Sequence, residues 1–212
     1  MKLPVTRIQA RNFCSLAAVD LPLGPLNVLI GPNGSGKTNV LNVLRFLATT
    51  VRFDLAATLQ EWNGFDHIQR QSARPGAVEL TIQGLVTANS SENAPDQYQL
   101  RLARHGKSIS RQEEFTFKRR GGRGRRITVS GDRVTFYEDE QETFFRSLAS
   151  SQTTGLATLP KLSDSEGGLG IRSFTEFLPG SSCSNRMCQR RVCPPANMER
   201  RSPRTPATWL MR

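Results

Sequence analysis

Gly31-Pro32-Asn33-Gly34-Ser35-Gly36-Lys37-Thr38 is the stretch that decides how this chain is read. It fits G-x-x-x-x-G-K-[ST], a loop whose backbone N–H groups cradle nucleotide phosphates. Just before it, Leu26–Ile30 is a short apolar run, which predicts a buried strand feeding the loop. Just after it, Val40, Val43, Leu44 and Leu47 recur at helical spacing, which predicts a helix over Thr38–Thr50. Strand, loop and helix in that order are the context this motif requires. Its glycines let the backbone curl so that successive N–H groups point inward at a helix N-terminus, where an anion is favoured. Lys37 then reaches the β- and γ-phosphates, and the Thr38 hydroxyl ligates a magnesium ion. The candidate site is therefore Gly31, Pro32, Asn33, Gly34, Ser35, Gly36, Lys37, Thr38 and Asn39, with ATP and Mg²⁺ as cofactors and Thr38 as the metal ligand.

The rest of the chain bounds what such a loop can serve. At 212 residues it is long enough for one large domain. No run of 18 apolar residues predicts a membrane span, and no charged-then-apolar N-terminal pattern predicts a signal peptide. Four cysteines without a disulfide framework fit a reducing compartment, so a cytoplasmic protein with no membrane partner is expected. The net charge of +11 suggests a polyanionic partner, but it is unevenly placed: the last 34 residues hold seven Arg and one Glu. Residues 179–212 also hold five Pro and three Cys with almost no periodicity, which predicts a disordered basic tail.

Between loop and tail the periodicity changes. Val5–Arg11 and Leu16–Leu21 read as paired strands, and Leu55–Trp62 as a short helix. Val78–Val86, Tyr98–His105, Glu113–Lys118, Ile127–Val129 and Val134–Tyr137 are short β-like runs separated by turn signals, an antiparallel meander over about 77–137. Asp139–Ser150 is acidic at its start and apolar at Phe144, Phe145 and Leu148, so a helix is expected there. Another is expected from Ile171.

These features together resemble the ABC-type ATPase heads of the RecF/SMC group, including the bacterial AAA-family ATPases related to RecF. Arg7-Ile8-Gln9-Ala10-Arg11-Asn12-Phe13 looks like that group's first strand, and Leu26-Asn27-Val28-Leu29-Ile30 like its approach to the phosphate loop. The loop and the following Val40–Leu47 match closely; the specific likeness covers roughly residues 3–50. It implies an α/β P-loop NTPase: an ABC-head first lobe over 1–178, with a mixed sheet and an attached antiparallel meander. It also implies that Arg11 and Asn12 approach the nucleotide, and that Gln69 or Gln71 touches the magnesium. Heads of this group use ATP to bring two copies together in DNA repair or defence, so DNA and a second copy are implied partners.

The chain departs from the group where hydrolysis would be built. A signature Ser-Gly-Gly motif, an apolar strand ending in Asp-Glu and a switch histidine are not found; Glu138-Asp139-Glu140 follows the short run Val134–Tyr137 too early, and the histidines are His67 and His105. A second lobe is therefore expected to be missing, with a frameshift near 178–196 as one account and a truncation or a genuine tail as others. Nucleotide binding is expected, and hydrolysis is left open. Two rival readings stay open: an active hydrolase with an unrecognised carboxylate, and a nucleic-acid-binding module whose loop is vestigial.

Two further clusters carry possible chemistry. Lys118–Arg126 holds five Arg and one Lys in nine residues, which reads either as a phosphate-backbone contact or as a solvated hairpin turn. Cys183, Cys188 and Cys193 are spaced like zinc ligands but lack a fourth partner nearby.

Overall fold

Eight strands pair in the order β2-β1-β3-β4-β5-β6-β7-β8, every ladder antiparallel. They are β1 (Arg7–Phe13), β2 (Leu16–Pro22), β3 (Val78–Gly84), β4 (Asp96–His105), β5 (Ser108–Phe117), β6 (Arg125–Ser130), β7 (Arg133–Glu138) and β8 (Gln141–Ser147). The helices are α1 (Lys37–Arg52), α2 (Leu55–Glu61), α3 (Phe65–Ile68), α4 (Gly155–Thr158) and α5 (Gly168–Glu176). The computed structural model describes residues 5–71, 76–119, 124–139, 141–148, 150–163, 166–176 and 178. The tail, with Cys183, Cys188 and Cys193, lies outside the described residues, as do Gln71's successors to 75 and Arg120 to Arg123 of the basic turn.

Alternation along each strand sorts the side chains onto two faces. One face is apolar. Ile8 pairs with Ile82, Ala10 with Leu80, Leu80 with Leu100, Tyr98 with Phe115 and Phe115 with Ile127, and all are buried. The helices cover this face. α1 turns Val43, Phe46 and Leu47 inward, and Phe46 meets Phe13 edge-on at 5.8 Å and Trp62 at 5.4 Å. At the other end Phe174 of α5 packs 6.0 Å from Phe117.

Charge is also buried on this face. Arg111 and Glu113 of β5 form an ion pair whose side chains are 1% and 0% exposed. Each is saturated by further bonds. Glu113 accepts from the Tyr98 hydroxyl at 2.9 Å and from the backbone N–H groups of Gly155 and Leu156 at 2.7 and 3.2 Å. Arg111 donates to the carbonyls of Gly131 and Ser151 at 2.5 and 3.2 Å. The pair thus pins the start of α4 to the sheet. Thr154 completes the link by donating to the carbonyl of Thr50 at the end of α1, 2.9 Å away. Burial, with the Glu113 charge beside it, pushes the Tyr98 hydroxyl well above its ordinary range, so it remains a donor.

The α/β class, the helix after the loop and the meander all form. Three sequence expectations do not. The sheet, expected to be mixed, has no parallel ladder among the described residues. Asp139–Ser150, expected to be helical, contains strand β8 instead. Asp139 takes a left-handed turn at φ 50°, and Phe144 stacks on Phe136 with ring centroids 4.3 Å apart. The adjacent Phe144 and Phe145 then point to opposite faces, which a helix would not allow. The third concerns Leu26–Ile30. It joins no ladder, and Leu26, Val28 and Ile30 are 84%, 71% and 91% exposed. The Asn27 side chain folds back on Gly24, accepting from its N–H at 2.9 Å and donating to its carbonyl at 2.8 Å, so this run opens as a local turn.

Candidate functional site

The phosphate loop leads directly into α1, the longest of the described helices. Gly34 and Gly36 adopt φ of +83° and +92°, the left-handed region that glycine enters without a steric penalty. Gly36 is needed for a second reason: a Cβ there would lie 2.9 Å from Leu16 Cδ2. Gly36 is also the N-cap of α1, so no side chain accepts from the first-turn N–H groups, and no acidic residue lies in that turn. These are the orphan donors and the positive dipole end that an anion satisfies.

Lys37 folds over the loop. Its ammonium donates to the carbonyls of Gly31 and Pro32 at 2.8 and 2.7 Å, and to Ser35 Oγ at 3.4 Å. The one cation of the loop is thus held at its concavity. The Thr38 hydroxyl makes no hydrogen bond among the described residues. The residue set fits a magnesium nucleotide: backbone donors without acceptors, a positioned ammonium and a free hydroxyl at the helix start. The nucleotide phosphates would be held by the loop N–H groups and Lys37, and the metal by Thr38.

Asn39 has a different task. Its amide donates to Ser15 Oγ at 2.8 Å and accepts from Asn42 at 3.1 Å, locking the helix start to the β1–β2 turn. That turn, Cys14 and Ser15, is the support that sequence reasoning missed. Asn12 and Cys14 both take positive φ, at 53° and 49°, and no residue pattern in the sequence marks it. Burial raises the Cys14 thiol above its ordinary range, which keeps it protonated.

Asn12 and Arg11 are placed apart from Lys37's contacts. The Asn12 side-chain amide donates to the carbonyl of Ala77 at 3.1 Å, and the Asn12 backbone carbonyl accepts from the Arg70 N–H at 2.8 Å. Arg11 is exposed on the sheet face opposite Ala10, in a cleft it shares with Gln9, Asp20, Glu79 and Gln97. Gln69 donates to the carbonyl of Gly76 at 2.5 Å, tying α3 to the entry of β3. No Asp or Glu hydrogen-bonds to residues 31–39 among the described residues. Glu138 is engaged elsewhere, with Arg125 at 2.5 Å and Arg119 at 3.1 Å. The hydrogen bond from Arg125 leads in holding its carboxyl below the usual glutamate range. No cluster of three or more His, Cys, Asp or Glu side chains that could hold a metal forms among the described residues. None of the described helices is long and apolar enough to cross a membrane.

A family model described as "AAA domain, putative AbiEii toxin, Type IV TA system" matches residues 26–164. An OLD nuclease of Thermus scotoductus is 53% identical over 78 residues, 36% of this chain and 13% of the relative. The DNA replication and repair protein RecF of Streptococcus uberis is 36% identical over 84 residues, 37% of this chain and 23% of the relative. The matched parts therefore span less than a quarter of either relative. A solved chain from work on ATP-driven dimerization and DNA stimulated activation of SMC ATPases aligns at TM-score 0.40 and 17% identity, over 57% of this chain and 74% of that one.

Proposed function

The chain belongs to this AAA-domain family, related to RecF and OLD nuclease, and from that premise we propose that it binds a magnesium–ATP complex at Gly31–Asn39. The observation that carries the reading is the Lys37 ammonium drawn onto the Gly31 and Pro32 carbonyls beside an uncapped helix N-terminus. When nucleotide enters, the ammonium exchanges those carbonyls for β- and γ-phosphate oxygens, a stronger charge-assisted pair. The first-turn N–H groups of α1 supply the remaining donors. Magnesium, held through Thr38, neutralises phosphate charge when bound.

Binding is proposed here, and cleavage is assigned to groups beyond this chain's loop. Among the described residues no carboxylate bonds to the loop to orient a water. The exposed Leu26, Val28 and Ile30 lie immediately before it and leave a strand-length apolar segment without a neighbour. We infer that a second lobe or a second copy of the chain covers this segment and completes the site. By its likeness to RecF and OLD nuclease, we propose for it a place in DNA repair or defence, with DNA as the eventual partner.

Titration of the full chain with a fluorescent ATP analogue in Mg²⁺ tests the reading. Saturable binding that chelation of Mg²⁺ weakens, and that Lys37→Ala weakens by about tenfold to a hundredfold, is expected. Wild-type affinity in Lys37→Ala would sink it.

A further inference from the structure

The second face of the sheet is covered by no helix among the described residues. Its side chains are polar over most of the breadth: Gln97 beside Thr116, Gln99 beside Glu114, Arg101 beside Gln112. The character changes at the β6–β8 end. There Arg126 pairs across the ladder with Tyr137, and its guanidinium lies 4.6 Å from the centre of the Tyr137 ring. Thr135, two residues from Tyr137, pairs with Phe145 of β8, which is 61% exposed. Arg133 lies over that ring, also at 4.6 Å. Two Arg–aromatic stacks thus stand side by side on one open face.

The same corner is positive. Lys118, Arg119, Arg125 and Arg126 flank the β5–β6 connection, against Asp139 and Glu138, the latter shared by Arg119 and Arg125. Arg126 has no carboxylate partner among the described residues. Arg133 also bonds Glu142, at 3.3 Å, so its charge is balanced and its plane is what it offers.

We propose that this corner of the open face binds single-stranded nucleic acid. Bases stack on the Tyr137–Arg126 and Phe145–Arg133 pairs, and phosphates run toward Lys118 and Arg126. Aromatic rings and guanidinium planes take the flat face of any base, which a duplex hides within its own stack. Tyr137 and Phe145 stand on neighbouring strands, on either side of the register shift at Phe136/Tyr137. Two separate platforms take bases from an extended strand whose bases are not stacked on one another. Lys118 and Arg126 then supply sequence-independent phosphate contacts.

Fluorescence anisotropy of a labelled 15-nucleotide oligo-dT with the full chain tests this. Expected are binding that falls steeply with salt, a loss of about tenfold in Phe145→Ala, and a log–log salt slope shallower by about one in Arg126→Gln. Phe145 is exposed, so a circular-dichroism melt of Phe145→Ala unchanged from wild type separates lost stacking from lost folding. Saturating Mg²⁺–ATP is expected to leave the oligonucleotide bound. Equal affinity for a blunt duplex of the same length would overturn the proposal, as would displacement of the oligonucleotide by ATP or wild-type affinity in both variants. Failure of ATP to bind at the loop would leave it standing, because the two measurements are independent.

Discussion

The Arg111–Glu113 pair and the Leu26–Ile30 run invert the usual rule in opposite directions. The first places two full charges where nothing is exposed; the second places three large apolar side chains almost fully in water. The difference is one of completion. The buried charges lie where the chain supplies every partner: a tyrosine hydroxyl, two N–H groups of α4 and carbonyls of Gly131 and Ser151. The exposed run lies where the described residues supply none. The sheet and its helix cover form a finished unit, and the approach to the phosphate loop is an unfinished one.

The largest test of that contrast is Glu113→Ala. It strands the Arg111 guanidinium and two α4 N–H groups in the interior, and a loss of about 3–5 kcal/mol is expected by urea denaturation. A loss below about 1 kcal/mol would mean that water reaches the pair. Next is Lys37→Ala, which removes a charge-assisted contact of about 1.5–3 kcal/mol to phosphate. ATP affinity should fall by about tenfold to a hundredfold in calorimetric titration, while the melting curve is unchanged. Gly36→Ala is smaller: a left-handed φ costs an L-residue about 1–2 kcal/mol, and the new Cβ presses on Leu16. Both stability and ATP affinity should drop; the same change at Gly34, also at positive φ but with nothing within 4 Å of the new Cβ, should carry the backbone strain alone and so cost less stability.

A pH series sharpens the surface side of the comparison. Glu138 has a lowered folded pKa, so its contribution is present above the ordinary glutamate value and is lost as pH falls through the folded one. Glu138→Gln should therefore narrow the stability gap to wild type as the solution is acidified below the usual carboxylate range. The effect is small because the group is exposed and screened. Smallest of all is Ile30→Asp. In an unfinished segment it should change the stability of this chain by no more than about 0.5 kcal/mol. A larger loss would show that the segment is packed in solution.

Reading the chain by periodicity found the meander strands because each carries its own alternation. Val78, Leu80 and Ile82 face inward with Glu79 and Thr81 between them, and the turns at Gly106 and Gly131 are marked by residues that accept positive φ. It misread Asp139–Ser150 because Phe144, Phe145 and Leu148 satisfy a helical spacing, and only the Phe136 ring across the ladder settles the matter. It misread Leu26–Ile30 because an apolar run says what a segment wants as a neighbour, and cannot say whether the neighbour is there. Within the site, Lys37 and its glycines were legible as a motif. The Ser15–Asn39 brace was not, since it joins residues 24 apart that share no pattern.

The sequence by itself determined the phosphate loop. Glycines at 34 and 36 and a lysine at the first position of an amphipathic helix need only local backbone geometry to create an anion site. Tertiary structure decided everything that depends on a partner at a distance. It made Glu113 a buried anchor where a surface carboxylate would read the same, and it left Leu26–Ile30 in water where a core strand would. Burial belongs to the arrangement of neighbours, and a run of residues carries only its own half of that arrangement.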